Sequence, residues 1–190
     1  MPNCSLTISG FWIALDDFPA LRRVSLPMKK RSAARLRAPR AGDMGRVVQL
    51  HGELYAKEFG YDATFEALVA GIAAGFVRDF RPQCERCWIA ELGGEVVGSV
   101  FLVRKSPKVA KLRLLIVHPR ARGMGLGRRL TRACIRFARG AGYRKIVLWT
   151  QSHLAAARAI YHAEKFKKIS AERHRSFGRR LVAEVWALDL

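Results

Sequence analysis

One short segment combines closely spaced glycines with arginines, a pattern that suits the binding of a phosphate group. Gly123, Gly125 and Gly127 lie between Arg122 and Arg128. Glycine permits a positive φ and brings no Cβ that would keep a ligand away from the backbone. If a helix begins in this segment, its first N–H groups lack partners within the helix, and with the helix dipole they attract anions. The segment therefore predicts an anion site, with a pyrophosphate as the expected group.

The spacing of these glycines does not fit two common nucleotide motifs. A Walker motif needs Gly-Lys-Ser/Thr after the glycines, and that sequence does not follow. The Rossmann fingerprint has another spacing and follows the first strand of its domain, whereas Gly123 lies late in the chain. A plain tight turn is the other interpretation of the glycines when they are taken alone.

Composition narrows the class of protein. The chain has 190 residues, half of them hydrophobic, and a formal net charge of +20. This length and apolar content suit one domain with a full core. The charge attracts polyanions such as nucleic acid, a phosphorylated cofactor or an acidic partner, although a generally basic soluble protein is an equal alternative.

Neither a membrane segment nor a disulfide framework is predicted. The apolar run at residues 68–77 is shorter than the ~20 residues that cross a bilayer. The apolar stretch at residues 6–15 lacks a preceding basic segment and a cleavage pattern, so no secretory signal is predicted. Cys84 and Cys87 have the spacing of a metal pair, but no second pair of ligands accompanies them, and Cys4 and Cys134 do not complete a pattern. We therefore expect a cytoplasmic protein without a metal.

From residue 33 onward the hydrophobic pattern alternates between strand and helix periods. The predicted order is strand–helix–helix–strand–strand–strand–helix–strand–helix–strand–strand. Asp43 and Asp62 are placed to cap the first two helices, and Gly93-Gly94 joins two apolar runs as a β-hairpin. This order predicts an α/β domain with a mixed sheet at residues 33–190. Residues 1–32 are predicted to be an N-terminal extension or linker outside that core.

The glycine segment and its surroundings resemble the GNAT acetyltransferase family. Arg122-Gly123-Met124-Gly125-Leu126-Gly127 is similar to the acyl-CoA pyrophosphate loop of that family, written Arg/Gln-x-x-Gly-x-Gly/Ala, and Val117-His118-Pro119 is similar to the end of its fourth strand. The resemblance is greatest to acetyltransferase domains that follow MarR-type DNA-binding modules. His51-Gly52-Glu53-Leu54-Tyr55, Trp88-Ile89-Ala90-Glu91 and Ser176-Phe177-Gly178 carry that finer resemblance.

The resemblance implies a fold and a cofactor. The expected fold is a central, mixed and mostly antiparallel sheet flanked by helices, with a V-shaped split between the fourth and fifth strands. The split would admit the thioester of acetyl-CoA, the expected acyl donor. The implied cofactor-binding residues are Leu115, Ile116, Val117, Arg122, Gly123, Met124, Gly125, Leu126, Gly127 and Arg128. The first three would offer backbone groups to the pantetheine arm, and the others would hold the pyrophosphate.

The resemblance also implies a general acid. Ala157-Arg158-Ala159-Ile160-Tyr161 is similar to a family segment whose tyrosine faces the CoA sulfur, so Tyr161 would protonate the departing thiolate. A tyrosine that only packs against the sheet is the alternative. Lys165-Phe166 stands where the family usually has Gly-Phe, and Leu154 stands where an asparagine often contacts CoA, with Gln151 or Ser152 as its substitute.

The general base is not determined by the sequence. Many relatives carry a glutamate on the fourth strand, whereas residues 110–117 contain none. The candidates are Glu53, Glu58, Glu85 and His174, and each of them also fits a solvated or structural residue. A water chain, or an amine that is already partly neutral, would remove the need for a strong base. The expected oxyanion donor is a backbone N–H near Ile116.

The sequence therefore predicts an N-acetyltransferase that transfers an acetyl group from acetyl-CoA to a primary amine of a small molecule, peptide or protein. The alternative is a basic binding protein, associated with nucleic acid or the ribosome, in which CoA is a sensing or structural ligand. A combination of the two would acetylate a target bound to nucleic acid. We expect a monomer or a homodimer without a membrane partner, and the acceptor is not encoded in a readable motif.

Overall fold

A seven-stranded sheet forms the centre of the computed structural model, which describes residues 33–190. The strands are β1 (Arg35–Arg37), β2 (Arg86–Leu92), β3 (Glu95–Ser106), β4 (Val109–Val117), β5 (Lys145–Gln151), β6 (Lys167–Ser176) and β7 (Arg179–Asp189). The helices are α1 (Asp43–Phe59), α2 (Ala63–Arg78), α3 (Leu126–Gly140) and α4 (Ala155–Ala163), and a 3₁₀ turn covers Pro119–Ala121. The predicted order of elements and the α/β class are confirmed. The extension predicted at residues 1–32 lies outside the described residues.

The sheet splits between β4 and β5. Its strand order is β1-β2-β3-β4-β5-β7-β6, and every neighbouring pair is antiparallel except β4 with β5. The parallel pairing begins at Val109 with Lys145 and ends at Leu112 with Leu148. Beyond that point β4 continues beside β3 as far as Val117, while β5 continues beside β7. The two strands therefore part, which confirms the expected V-shaped split.

A β-bulge interrupts β4 where the split opens. Ser99 of β3 pairs with Ile116 and Phe101 pairs with Arg113, so two steps on β3 face three steps on β4. Leu114 has a φ of 50°, a left-handed value that is rare for a branched side chain. The Ser99 hydroxyl donates a hydrogen bond to the Leu114 carbonyl at 3.0 Å. A bulge leaves its extra residue out of the ladder, so the regular pairing of β4 with β3 is interrupted just beyond the last pair that joins β4 to β5.

Helices cover both faces of the sheet. On one face, α3 packs Leu130 and Cys134 against buried residues such as Leu112 of β4, while its arginine side faces solvent. On the other face, Val47 of α1 and Phe76 of α2 pack against the sheet. Because both faces are covered, the central strands contain nearly continuous apolar runs. Within residues 33–190, no helix has the length and apolar character needed to cross a membrane.

One predicted helix cap is confirmed and the other is wrong. Asp62 precedes α2, and its carboxylate accepts a hydrogen bond from the Thr64 N–H. Asp43 lies inside the first turn of α1, and Gly42 occupies the N-cap with a φ of 89°. The buried Asp43 carboxylate instead accepts from the Arg40 N–H at 2.6 Å and from the Arg37 guanidinium. Asp43 therefore attaches β1 to the start of α1 instead of capping the helix.

Candidate active site

A groove of about 700 Å³ lies beside the N-terminus of α3, where β4 leaves β5. It is bordered by the end of β4, the glycine segment, α4 and the last turn of α1. The predicted cofactor residues that border it are Leu115, Ile116, Val117, Arg122, Gly123, Gly125, Leu126, Gly127 and Arg128. Met124, the remaining residue of that set, is exposed and does not border the groove.

The three glycines of this segment serve two different purposes. Gly123 has a φ of 77°, and Gly125, the N-cap of α3, has a φ of 70°. These values turn the chain between β4 and α3 at no steric cost. A Cβ added to Gly127 would lie 2.6 Å from the Ile160 Cδ1 atom, so this glycine allows α3 and α4 to pack closely. The turn leaves the first N–H groups of α3 without acceptors in the helix and facing the groove.

Ion pairs hold the two arginines at the rim of the groove. Arg122 donates to the Glu58 carboxylate at 2.7 Å and to the Val117 carbonyl at 3.3 Å. Arg128 donates to Glu164 at 2.5 Å. Exposed pairs of this kind contribute about 0–1 kcal/mol, so a phosphate in the groove can compete for both guanidinium groups.

A second space of about 350 Å³ lies on the α1 and α2 side of the split. We call it the acceptor cavity. It is bordered by His51, Tyr55, Tyr61, Phe65, Leu68, Val69, Ile72, Lys111, Leu112, Arg113, Leu114, Leu115, Trp149, Thr150, Gln151, Leu154, Ala157, Tyr161 and Phe177. Tyr55, Leu115, Leu154 and Ala157 border both the groove and this cavity. The two spaces therefore adjoin at the split, beside the bulged backbone of β4.

Tyr161 is placed by α4 on the wall of the acceptor cavity. Its side chain is buried, and its ring lies 5.8 Å from that of Phe166 and 6.3 Å from that of Trp186. Burial raises the pKa of the phenol well above its usual range, because the anion would lose its hydration. Tyr161 is therefore protonated at neutral pH, the state that a general acid needs.

The structure does not bring the predicted base candidates together with Tyr161. Glu53 is exposed on α1 and does not border the cavity. Glu58 borders the groove, where it pairs with an arginine. Glu85 is buried elsewhere and accepts hydrogen bonds from two backbone N–H groups. His174 contacts Gln151, so it lies behind the cavity wall and does not border it.

His51 is a site residue that the sequence did not single out by itself. It is buried, borders the acceptor cavity, and has its Nδ1 atom 2.8 Å from the Val47 carbonyl. A carbonyl only accepts, so Nδ1 carries the proton and Nε2 does not. Burial lowers the pKa of His51 to about 4, so the ring is neutral at pH 7. His51 follows the buried Val47 by four residues, so both lie on the same side of α1, and this spacing could have predicted that His51 is buried.

Lys111, Arg113 and Gln151 were also missed as cavity residues. Lys111 and Arg113 alternate with buried residues on β4, and Gln151 is the last residue of β5. Gln151 had been considered only as a CoA contact, but it borders the acceptor cavity and not the groove. The alternation of charged and apolar residues on β4 was visible in the sequence, but it did not show which face opens onto a cavity.

Comparison with known proteins gives relatives by sequence. The model of the acetyltransferase (GNAT) family matches residues 50–166. N-acetyltransferase 8 of Mus musculus is 38% identical over 86 residues, which are 43% of this chain and 38% of that protein. Mycothiol acetyltransferase of Amycolatopsis mediterranei (strain U-32) is 34% identical over 100 residues, 45% of this chain and 33% of that protein. These matches span well under half the length of either relative.

Solved structures share the fold. The structure of yncA, a putative acetyltransferase from Salmonella typhimurium with its cofactor acetyl-CoA, aligns with a TM-score of 0.69 and 19% identity over 83% of this chain and 94% of that one. Ribosomal-protein-alanine N-acetyltransferase from Brucella melitensis aligns with a TM-score of 0.67 and 20% identity over 82% and 99% of the two chains. Because the family model matches more than half of the residues and the split sheet agrees with it, this chain belongs to the GNAT acetyltransferase family.

Proposed function

We propose that this protein is an N-acetyltransferase that transfers the acetyl group of acetyl-CoA to a primary amine. The observation that carries this proposal is the meeting of the groove and the acceptor cavity at Leu115, beside the bulge in β4. A donor lying in the groove and an amine lying in the cavity would meet where the two spaces adjoin, between Leu115 of β4 and the residues of α1 and α4 that border both. Such positioning is a large part of the catalysis of group transfer.

The residues of the groove fit the proposed donor. The free N–H groups at the start of α3, with Arg122 and Arg128 at the rim, suit a pyrophosphate. The released edge of β4 at Ile116 and Val117 can pair with the amides of a pantetheine arm as it would with a peptide. When bound, acetyl-CoA supplies the acetyl group and a thiolate leaving group.

Two groups of the chain would assist the reaction. Tyr161 holds a proton that it can donate to the departing thiolate, and a backbone N–H near Ile116 can donate to the oxyanion. No carboxylate in residues 33–190 borders the acceptor cavity, whereas Lys111 and Arg113 do. Nearby positive charge lowers the pKa of a bound amine, so a weak base is enough to take its proton. The neutral His51 ring and water are the acceptors that this arrangement offers.

The finer assignments remain proposals. The kinship with acetyltransferase domains fused to MarR-type regulators depends on three short segments, beginning with His51-Gly52-Glu53-Leu54-Tyr55. A cytoplasmic location is inferred from the cysteine spacing and the lack of a predicted secretory signal, and the proposed oligomeric state is a monomer or a homodimer. None of these assignments changes the chemistry proposed for the split.

Calorimetry on a matched pair of variants tests the donor site. Nothing lies within 4 Å of a Cβ built on Gly125, and its φ of 70° is one that Asn and Asp tolerate. Gly125→Asp and Gly125→Asn have the same shape and both suit an N-cap, but only Asp adds a negative charge at the proposed pyrophosphate. We expect Gly125→Asp to weaken acetyl-CoA binding at least ~10-fold relative to Gly125→Asn, since like charges repel. Equal affinities in two folded variants would contradict the assignment.

A further inference from the structure

We propose that the acceptor cavity binds its amine substrate through a second, anionic group, a carboxylate a few bonds from the amine, held by Lys111, Arg113 and Gln151. This inference rests on the proposed acetyl transfer and names the class of acceptor. It also makes Lys111, Arg113 and Gln151 the residues that determine acceptor specificity.

The first observation is uncompensated positive charge in the cavity. Lys111 and Arg113 both border it and are half-buried. Within the described part of the chain, neither residue forms an ion pair, and no Asp or Glu borders the cavity. Burial lowers the pKa of both groups, as expected for cations that lack a partner. An anionic ligand would offset that cost.

The second observation is that the three side chains share one face of the sheet. Lys111 is paired with Val147 and Leu112 with Leu148, where β4 and β5 still run side by side. Because side chains alternate along a strand, Lys111 and Arg113 on β4 lie on the same face as Gln151 on β5. That face forms the floor of the cavity, on both sides of the split.

The third observation is an unmet hydrogen-bond donor at Gln151. The residue is 2% exposed and borders the cavity, and its Nε2 is the one buried side-chain nitrogen or oxygen in residues 33–190 without a hydrogen-bond partner. Its Oε1 lies 3.2 Å from the His174 Nε2, and the His174 Nδ1 lies 3.0 Å from the Ser176 Oγ. An amide oxygen only accepts, so the His174 Nε2–H donates to it and the Gln151 NH₂ group is left for another acceptor. Because Gln151 borders the cavity, a carboxylate oxygen there would satisfy this group once the amide turns toward the opening.

The rest of the cavity sets the size of the acceptor. The aromatic residues Tyr61, Phe65, Trp149 and Phe177 border it, and its volume of about 350 Å³ suits a small molecule with an apolar side chain. Arg113 lies two positions before Leu115, at most about 7 Å along the strand. An anion near Arg113 and an amine near Leu115 therefore suit two groups of one small molecule that are a few bonds apart. This geometry favours an amino acid over the side-chain amine of a protein lysine.

Binding of product-like acids tests the cavity independently of catalysis. We would titrate N-acetyl-L-phenylalanine, N-acetyl-L-leucine and N-acetyl-L-glutamine, each beside its neutral carboxamide, into the full chain with saturating CoA. We expect at least one acid to bind ~10-fold or more tightly than its amide, with a difference that shrinks in salt. Preference for the amides, equal affinity, or no binding by any acid would overturn the proposal.

Variants connect that preference to the named residues. Arg113→Gln removes one charge, and Gln151→Glu replaces the amide donor with a carboxylate of the same shape, so each should remove the preference for acids while the carboxamides bind as before. Arg113→Lys should restore part of it. Arg136→Gln, on the exposed outer side of α3, is the matched control and should keep the full preference. An unchanged preference in both Arg113→Gln and Gln151→Glu would contradict the assignment.

Turnover separates this inference from the proposed function. Thiol release from acetyl-CoA would be followed with L-phenylalanine, L-phenylalaninamide and 2-phenylethylamine, and with the corresponding leucine series. We expect the amino acids to have KM values ~10-fold or more below those of the neutral analogues, and Arg113→Gln to raise only the acceptor KM. Faster turnover of the neutral amines would refute the anion subsite and leave acetyl transfer standing. Selective binding of the acids without thiol release from any amine would refute acetyl transfer and leave the subsite standing.

Discussion

The hydroxyl of Tyr161 is the group on which the proposed chemistry depends most. Its burial in the wall of the acceptor cavity keeps it protonated, and the same burial gives the ring a packing role against Phe166 and Trp186. A general acid and a packed tyrosine therefore share one position. The two roles differ in one respect, since only the first requires the proton.

Tyr161→Phe separates these roles because it removes the proton and keeps the ring. If the thiolate takes its proton from Tyr161, turnover should fall ~10²-fold or more, while acetyl-CoA affinity and the melting temperature change little. The raised pKa also predicts that the wild-type rate stays high beyond the pH at which an ordinary phenol ionises, because Tyr161 must stay protonated. Normal turnover with a lower melting temperature would assign the hydroxyl to packing alone.

The sequence predicted the site residues that lie close together along the chain, but not those that the fold brings together. The glycine segment could be predicted as an anion site because its chemistry is local, and all of it except Met124 borders the groove. The acceptor cavity was not, because Lys111, Arg113 and Gln151 come together only when β4 and β5 are placed side by side. The glutamates were named because a carboxylate can act as a base, but their distance from the cavity depends on how α1 and β2 pack.

At the scale of elements, Lys165 shows how a departure from the family pattern is accommodated. It stands where the family usually has glycine, and it keeps the left-handed backbone, with a φ of 69°. The Lys165 N–H bonds to the His162 carbonyl and the Phe166 N–H to the Tyr161 carbonyl, which together end α4 and turn the chain into β6. The turn is therefore preserved, at the steric cost that a Cβ brings to this conformation.

Lys165→Gly should relieve that cost. We expect the free energy of unfolding to rise by about 1 kcal/mol, with an unchanged denaturant slope, in urea titrations followed by circular dichroism. Lys165→Ala removes the same charge but keeps the Cβ, so it should give no comparable gain. Equal stabilities of the glycine and alanine variants would show that the left-handed conformation carries no strain here.

The elements themselves were largely predictable, and their irregularities were not. The periodicity of hydrophobic residues predicted the order of strands and helices correctly. It did so because both faces of the sheet are covered and each helix buries one side. The bulge at Leu114 left no signal, because it arises from the mismatch in pairing between β3 and β4. The split was anticipated from the family resemblance, and no property of residues 110–117 alone indicates it.

For the molecule as a whole, the candidate active site does not explain the net charge of +20. The outer side of α3 is a row of exposed arginines, and two of them, Arg128 and Arg132, bind the same carboxylate of Glu164. Such a surface attracts any polyanion electrostatically, without sequence specificity. An acetyltransferase with this surface would bind nucleic acid non-specifically, whereas a dedicated nucleic-acid partner would add contacts that salt does not abolish.

Salt titration distinguishes these cases. We expect a labelled single-stranded RNA of mixed sequence to bind with a dissociation constant of ~1 µM or weaker at physiological salt, and with an affinity that falls steeply as salt rises, because each neutralised phosphate releases a counterion. Replacing Arg136 and Arg139 by glutamate should weaken this binding and flatten the salt slope, while acetyl-CoA affinity stays the same, since both lie on the solvent side of α3 away from the groove. Fluorescence anisotropy and calorimetry would measure the two affinities. Submicromolar binding at physiological salt, retained in the double variant, would instead favour a nucleic-acid-associated target.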